Sequence, residues 1–137
     1  IKSVNMDTIR IKELKRKLYN RKENYKKDLH YIGTLFNINE STYLDKFEEI
    51  SNKMVSCGIE LEKLTTIMND LDLEFEKVKR GLLLNENINL IDCIDRFGSN
   101  KKHIVEQLSY GGFITDSETD ILFSHIWENR YKHSYSD

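Results

Sequence analysis

Apolar residues recur along the chain at three- and four-residue steps, the spacing that puts them on one face of an α-helix. From residue 4 to residue 36, Ile11, Leu14, Leu18, Tyr25, Leu29, Ile32 and Phe36 are separated by 3, 4, 7, 4, 3 and 4 positions and predict one long N-terminal helix. A break is expected between Thr34 and Thr42, where Asn37, Asn39, Ser41 and Thr42 can accept hydrogen bonds from the free amides that open a helix. Asn39-Glu40-Ser41 is formally a glycosylation acceptor and is read here as part of that start signal. A second helix then carries Tyr43, Phe47, Ile50, Met54 and Cys57 and closes at Gly58. A third, from Ile59 to about Arg80, holds Leu61, Leu64, Met68, Leu71, Phe75 and Val78 at alternating steps of 3 and 4, a short coiled-coil-like seam. Lys77, Lys79 and Arg80 are expected in its last turn, facing the negative end of the helix dipole, with Gly81 as the stop.

The elements shorten after Leu82. Asn85 or Asn87 can cap a helix bearing Ile88, Ile91, Ile94 and Phe97 that ends at Gly98, and Ser99 or Asn100 can start another through Ile104, Val105 and Leu108 to Gly111-Gly112. Thr115-Asp116-Ser117-Glu118 fits a capping box, in which the threonine and the glutamate each satisfy an orphan amide of the first turn. The last helix carries Ile121, Leu122, Ile126 and Trp127; Trp127 is read as core beside Ile126, with the anchoring of a partner as the other reading. The fold class is therefore all-α: a five- to six-helix bundle with a long N-terminal helix, residues 1–137 forming a single helical domain.

Composition supports this reading. None of the 137 residues is proline, which suits long helices that cannot spare an amide donor. Apolar residues at 39% argue against a disordered chain, and no uncharged apolar run is long enough to span a bilayer, so no membrane is expected as a partner. Cys57 and Cys93 could form one bridge at most and are read as thiols in a reducing compartment, which makes the expected location cytoplasmic. The chain opens on Ile1 rather than methionine, which fits a processed or excised piece.

Charge changes the picture more. The net charge of −2 conceals segregation: Arg10 to Asp28 carries nine basic and three acidic residues, while residues 39–76 carry ten acidic and three basic ones. The basic first helix and the two acidic helices are expected to pack as antiparallel neighbours, with the apolar stripes doing most of the holding. Lys15, Arg16, Arg21, Lys22 and Lys26, interleaved with Tyr19 and Tyr25, also make RNA or DNA binding through the first helix a reading to carry.

Candidate chemistry is sparse. His30, His103, His125 and His133, with the two cysteines, show no short metal-ligand spacing, the paired carboxylates lie on solvated helix faces, and Gly111-Gly112 is isolated, so no metal or other cofactor is expected. The segment Trp127-Glu128-Asn129-Arg130-Tyr131-Lys132-His133-Ser134-Tyr135 resembles the signature of the HEPN superfamily, helical-bundle domains found in many RNA-cleaving toxins and defence proteins. Asn129, His133 and Tyr135 match that signature in spacing. The resemblance implies an all-helical fold and ribonuclease activity, with His133 acting near the scissile phosphate. The signature's arginine position holds Glu128, a carboxylate where a cation would stabilise developing negative charge. With no legible nucleophile or metal set, the function expected from the residues is a non-enzymatic helical module of protein–protein interaction, its partner another protein or a second copy, which the Leu61–Val78 seam could meet if it is longer than the bundle needs. A HEPN-like RNA-acting domain is the alternative.

Overall fold

The computed structural model describes residues 2–56 and 60–131, which form six α-helices and a 3₁₀ segment and contain no strand. In order these are α1 (Lys2–Phe36), α2 (Ser41–Ser56), α3 (Leu61–Asn85), α4 (Leu90–Ile94), the 3₁₀ segment Asp95–Asn100, α5 (Lys101–Gly111) and α6 (Asp116–Glu128). The all-α bundle and its long N-terminal helix are as the periodicity predicts. The residues group into two compact units, Ile1–Val78 and Lys79–Asp137.

In the first unit the stripes become core. Leu18, Leu29, Ile32 and Phe36 of α1, Phe47 and Ile50 of α2, and Leu64, Leu71, Phe75 and Val78 of α3 are all buried. Ile67 joins them, whereas Leu61 stays exposed at the start of α3. Lys26 pairs with Glu48 of α2, and His30 Nδ1, one turn further along α1, lies 2.8 Å from Glu40 just before α2 begins, so these two helices are antiparallel. Tyr25, Phe47 and Phe75 each come from a different helix: Tyr25 stacks on Phe75 with ring centroids 3.8 Å apart, and Phe47 meets the pair at 6.2 and 6.1 Å. Of the Leu61–Val78 seam, Leu64, Leu71, Phe75 and Val78 thus pack inside the unit. Cys57 and Gly58 lie outside the described residues.

Three helices end by one device. Asn37, Asn87 and Gly112 take the left-handed conformation at φ 55°, 54° and 82°. The next residue's amide then reaches back to a carbonyl five positions earlier: Ile38 to Gly33, Ile88 to Leu83 and Phe113 to Leu108, each at 2.9 Å. This is the Schellman closure, which satisfies carbonyls that a helix end leaves bare. Asn tolerates the left-handed region through its short polar side chain.

Two corrections concern α3 and α4. The third helix does not stop at Gly81 but runs on to Asn85, because Leu82 and Leu83 are both buried. Their burial outweighs the roughly 1 kcal/mol that glycine costs inside a helix. Lys77, Lys79 and Arg80 consequently sit before the last turn, which holds no basic residue. Asn87 closes α3, and the cap of α4 is Asn89, whose Oδ1 accepts from the Asp92 amide at 3.4 Å. Gly98, at φ 59° and ψ −129°, is where helical backbone breaks before Asn100 opens α5.

Gly81→Ala is expected to stabilise the protein by about 0.5–1 kcal/mol, the usual gain from removing a helix-interior glycine. The new Cβ would meet only the Asn85 side-chain amide at 3.2 Å, a flexible group that can turn aside. A rise in the urea midpoint checks this.

The second unit buries Leu82, Leu83, Ile94, Ile104, Val105, Leu108 and Leu122, and adds Phe113 and Ile114 after the glycine pair. The capping box is formed: Thr115 Oγ1 accepts from the Glu118 amide at 3.1 Å, and Glu118 Oε1 accepts from the Thr115 amide at 2.9 Å.

Candidate protein interface

The five cations proposed for binding on α1 divide into two groups. Arg21 donates to Asp72 Oδ2 at 2.8 Å, Lys22 to Glu48 Oε2 at 3.2 Å and Lys26 to Glu48 Oε1 at 2.9 Å. Lys22 is only 8% exposed, with its ammonium 5.1 Å from the centre of the Tyr19 ring. A phosphate would have to displace these carboxylates before reaching the three cations. Lys15 and Arg16 have no ion-pair partner among the described residues, and Arg16 is exposed. The Tyr25 hydroxyl donates to Asp72 Oδ1 at 2.5 Å, and burial followed by this bond pushes its phenol well above the usual tyrosine range. Tyr25 is therefore committed to the core rather than offered for stacking.

The end of α6 is arranged differently. Trp127 is 65% exposed and does not fill the core beside Ile126; it is Leu122, one helical turn before Ile126, that is fully buried. The Arg130 guanidinium lies 3.7 Å from the Trp127 ring centre and 4.4 Å from that of Tyr131, itself 59% exposed. Arg130 Nη1 also donates to the Trp127 carbonyl at 2.6 Å. The cation is fixed between two rings by its own helix end, which lowers the entropy that ordering a long side chain on binding would cost. Asn129 is the C-cap of α6, Glu128 its last residue, and His133 and Tyr135 lie outside the described residues.

A histidine the sequence did not single out is held just upstream. His125 Nε2 lies 3.0 and 3.2 Å from the two oxygens of Asp95, and its Nδ1 lies 3.2 Å from Asn129 Nδ2. That Asn129 atom is also 2.8 Å from the His125 carbonyl, which only accepts, so it is the amide nitrogen. Nδ1 therefore accepts and Nε2 carries the proton given to Asp95. Both ring nitrogens are engaged, so the residue clamps α6 to the 3₁₀ segment and has no free lone pair for proton transfer. The step of four from His125 to Asn129 was visible in the sequence; Asp95, 30 positions away, was not. Cys93 is a half-buried thiol accepting from Arg96 Nη2 at 3.6 Å. Among the described residues no three histidine, cysteine or acidic side chains gather as a metal site, and no helix is long and apolar enough to cross a membrane.

Compared with known proteins, the chain matches no family model, no curated protein and no solved structure.

Proposed function

We propose that the protein is a non-enzymatic helical module that works through contact with another protein, and that the end of α6 is its contact surface. The observation that carries this reading is the exposed Trp127–Arg130–Tyr131 stack. Tryptophan, arginine and tyrosine are the residues most enriched among those that dominate interface energies, and large exposed rings in a soluble domain otherwise lose apolar burial without compensation. Their preorganisation by the Arg130 contacts supports the same reading.

The test compares proteins retained from a native extract by the wild-type chain and by Trp127→Ala. A specific partner retained by the first and reduced roughly tenfold or more by the second is expected, with helical circular dichroism unchanged. Identical retention by both overturns the assignment. A pool of RNA, incubated with the wild type and with His133→Ala, provides the other arm: cleavage that disappears with His133 would replace this reading by the HEPN-like one.

A further inference from the structure

The first half of α1 holds a charged face that the protein contact proposed at α6 does not use. Among the described residues, the ion pairs that α1 makes with later parts of the chain begin at Arg21: Arg21 with Asp72, Lys22 and Lys26 with Glu48, and His30 with Glu40. Residues 8–20 carry Arg10, Lys12, Lys15, Arg16 and Lys17 against one acidic residue, Glu13. None of these five cations has an ion-pair partner among the described residues, and all but the half-buried Lys15 are exposed. A phosphate that would have to displace Glu48 or Asp72 further along α1 meets no carboxylate already bound to these cations.

Lys12, Lys15, Arg16 and Tyr19 are also grouped. Lys12 lies three residues before Lys15 and four before Arg16, and Tyr19 lies four after Lys15 and three after Arg16, the steps that make side chains neighbours on a helix surface. Tyr19 is 53% exposed, and its ring is steadied by the Lys22 ammonium, 5.1 Å from the ring centre and itself held by Glu48 at 3.2 Å. An aromatic ring beside three unpaired cations is the combination that takes a base on a π-face and its phosphates on charges. Other anionic surfaces fit worse. Lysine is depleted from the cores of protein interfaces, and the apolar stripe that a membrane-surface helix would insert, Leu18, Leu29, Ile32 and Phe36, is buried in the first unit. A duplex keeps its bases stacked inside, out of reach of Tyr19.

We infer that this face of α1 binds single-stranded nucleic acid, with phosphates on Lys12, Lys15 and Arg16 and one base stacked on Tyr19. These contacts read no base edge, so binding is largely indifferent to sequence and falls steeply with salt. This goes beyond the contact proposed for the α6 end, since it involves neither Trp127 nor Arg130 and stands or falls separately.

The probe is a fluorescein-labelled oligothymidylate, titrated with the full chain over a range of salt and followed by anisotropy. Saturable binding is expected at low salt. Lys12→Gln, Lys15→Gln and Arg16→Gln together are expected to reduce the slope of log affinity against log salt by about 2, since each phosphate contact on a single strand contributes about 0.7. Tyr19→Ala is expected to weaken binding roughly tenfold with that slope unchanged, and Tyr19→Phe to keep it, because the ring and not the hydroxyl meets the base. Trp127→Ala is expected to alter neither quantity, and unchanged circular dichroism shows that each variant folds. Absence of saturable binding, a slope that the triple variant leaves as it was, or indifference to Tyr19→Ala overturns the inference. So does equal affinity for the same probe annealed to its complement, or equal binding of polyglutamate or of phosphatidylserine vesicles, which would make the partner a duplex, an acidic protein or a membrane. Binding lost in Trp127→Ala and kept in the triple variant would overturn the assignment to α1 while leaving the proposed function intact.

Discussion

Phe47→Ala is expected to destabilise the first unit by about 3–5 kcal/mol, the usual cost of emptying a buried phenylalanine site. Phe47 has no exposed surface, and its ring is one of three contributed by three different helices. The site is poorly able to collapse. Tyr25 is fixed by its stacking on Phe75 and by the hydrogen bond to Asp72, so neither ring can swing into the space without giving up a partner. The size of a cavity penalty depends on how far the walls can relax, and these walls are held at both ends. Leu73→Ala is the matched control: it removes an apolar side chain that is 69% exposed on α3 and is expected to change stability by no more than about 0.5 kcal/mol. Urea unfolding followed by circular dichroism measures both. A shift for Phe47→Ala no larger than that for Leu73→Ala would mean that the aromatic cluster does not organise the unit.

That cluster also shows where sequence reading succeeds and where it stops. Spacing alone assigns Tyr25, Phe47 and Phe75 each to the apolar face of a helix, because a buried face leaves a periodic trace within one segment. Their meeting is a relation between segments, and no local pattern records it. Helix ends were harder. Gly112 and the Thr115 capping box are legible because their chemistry is local, but Gly81, which reads as a stop, lies inside α3 because its fate is decided by the burial of Leu82 and Leu83 beyond it. Asn87 carried the right residue type for a boundary on the wrong side of it: the same side chain that can cap a helix start also tolerates the left-handed turn that closes one. Trp127 shows the limit most plainly. Periodicity set it next to Ile126, yet adjacent positions on a helix point about 100° apart, and only the packing of α6 decides which faces inward. The cations of α1 and the carboxylates of α2 and α3 were seen to be complementary, whereas the specific pairing of Lys22 and Lys26 on Glu48 needed the register of α1 against α2.

That pairing yields the last prediction. Glu48→Gln is expected to cost about 1–2 kcal/mol, below the ~3–5 kcal/mol of a fully buried pair because the Glu48 side chain is 39% exposed to solvent. The loss falls mainly on Lys22, whose nearest remaining carboxylate oxygen is that of Glu23 at 3.9 Å. Lys22→Met in the Glu48→Gln background is expected to recover part of the stability, since it removes the stranded charge and keeps the stem in the core. The dependence on pH has a definite sign. The Glu48 carboxyl is held below its ordinary value of 4.5, first by the hydrogen bond from Lys26 and then by that from Lys22, against the opposing effect of burial. A carboxylate lowered on folding contributes stability that is present above its unfolded value and lost as pH falls through the folded one. Lys26 is raised above 10.5, chiefly by the same hydrogen bond, so its share is present below that value and lost as pH climbs past the folded one. The urea midpoints of wild type and Glu48→Gln are therefore expected to lie furthest apart between about pH 5 and 10 and to converge toward both extremes. Glu40, lowered by its bond to His30, leaves the variant some residual acid sensitivity. A gap that stays constant from pH 3 to 7 would show that the carboxylate's charge is not what holds Lys22 in place.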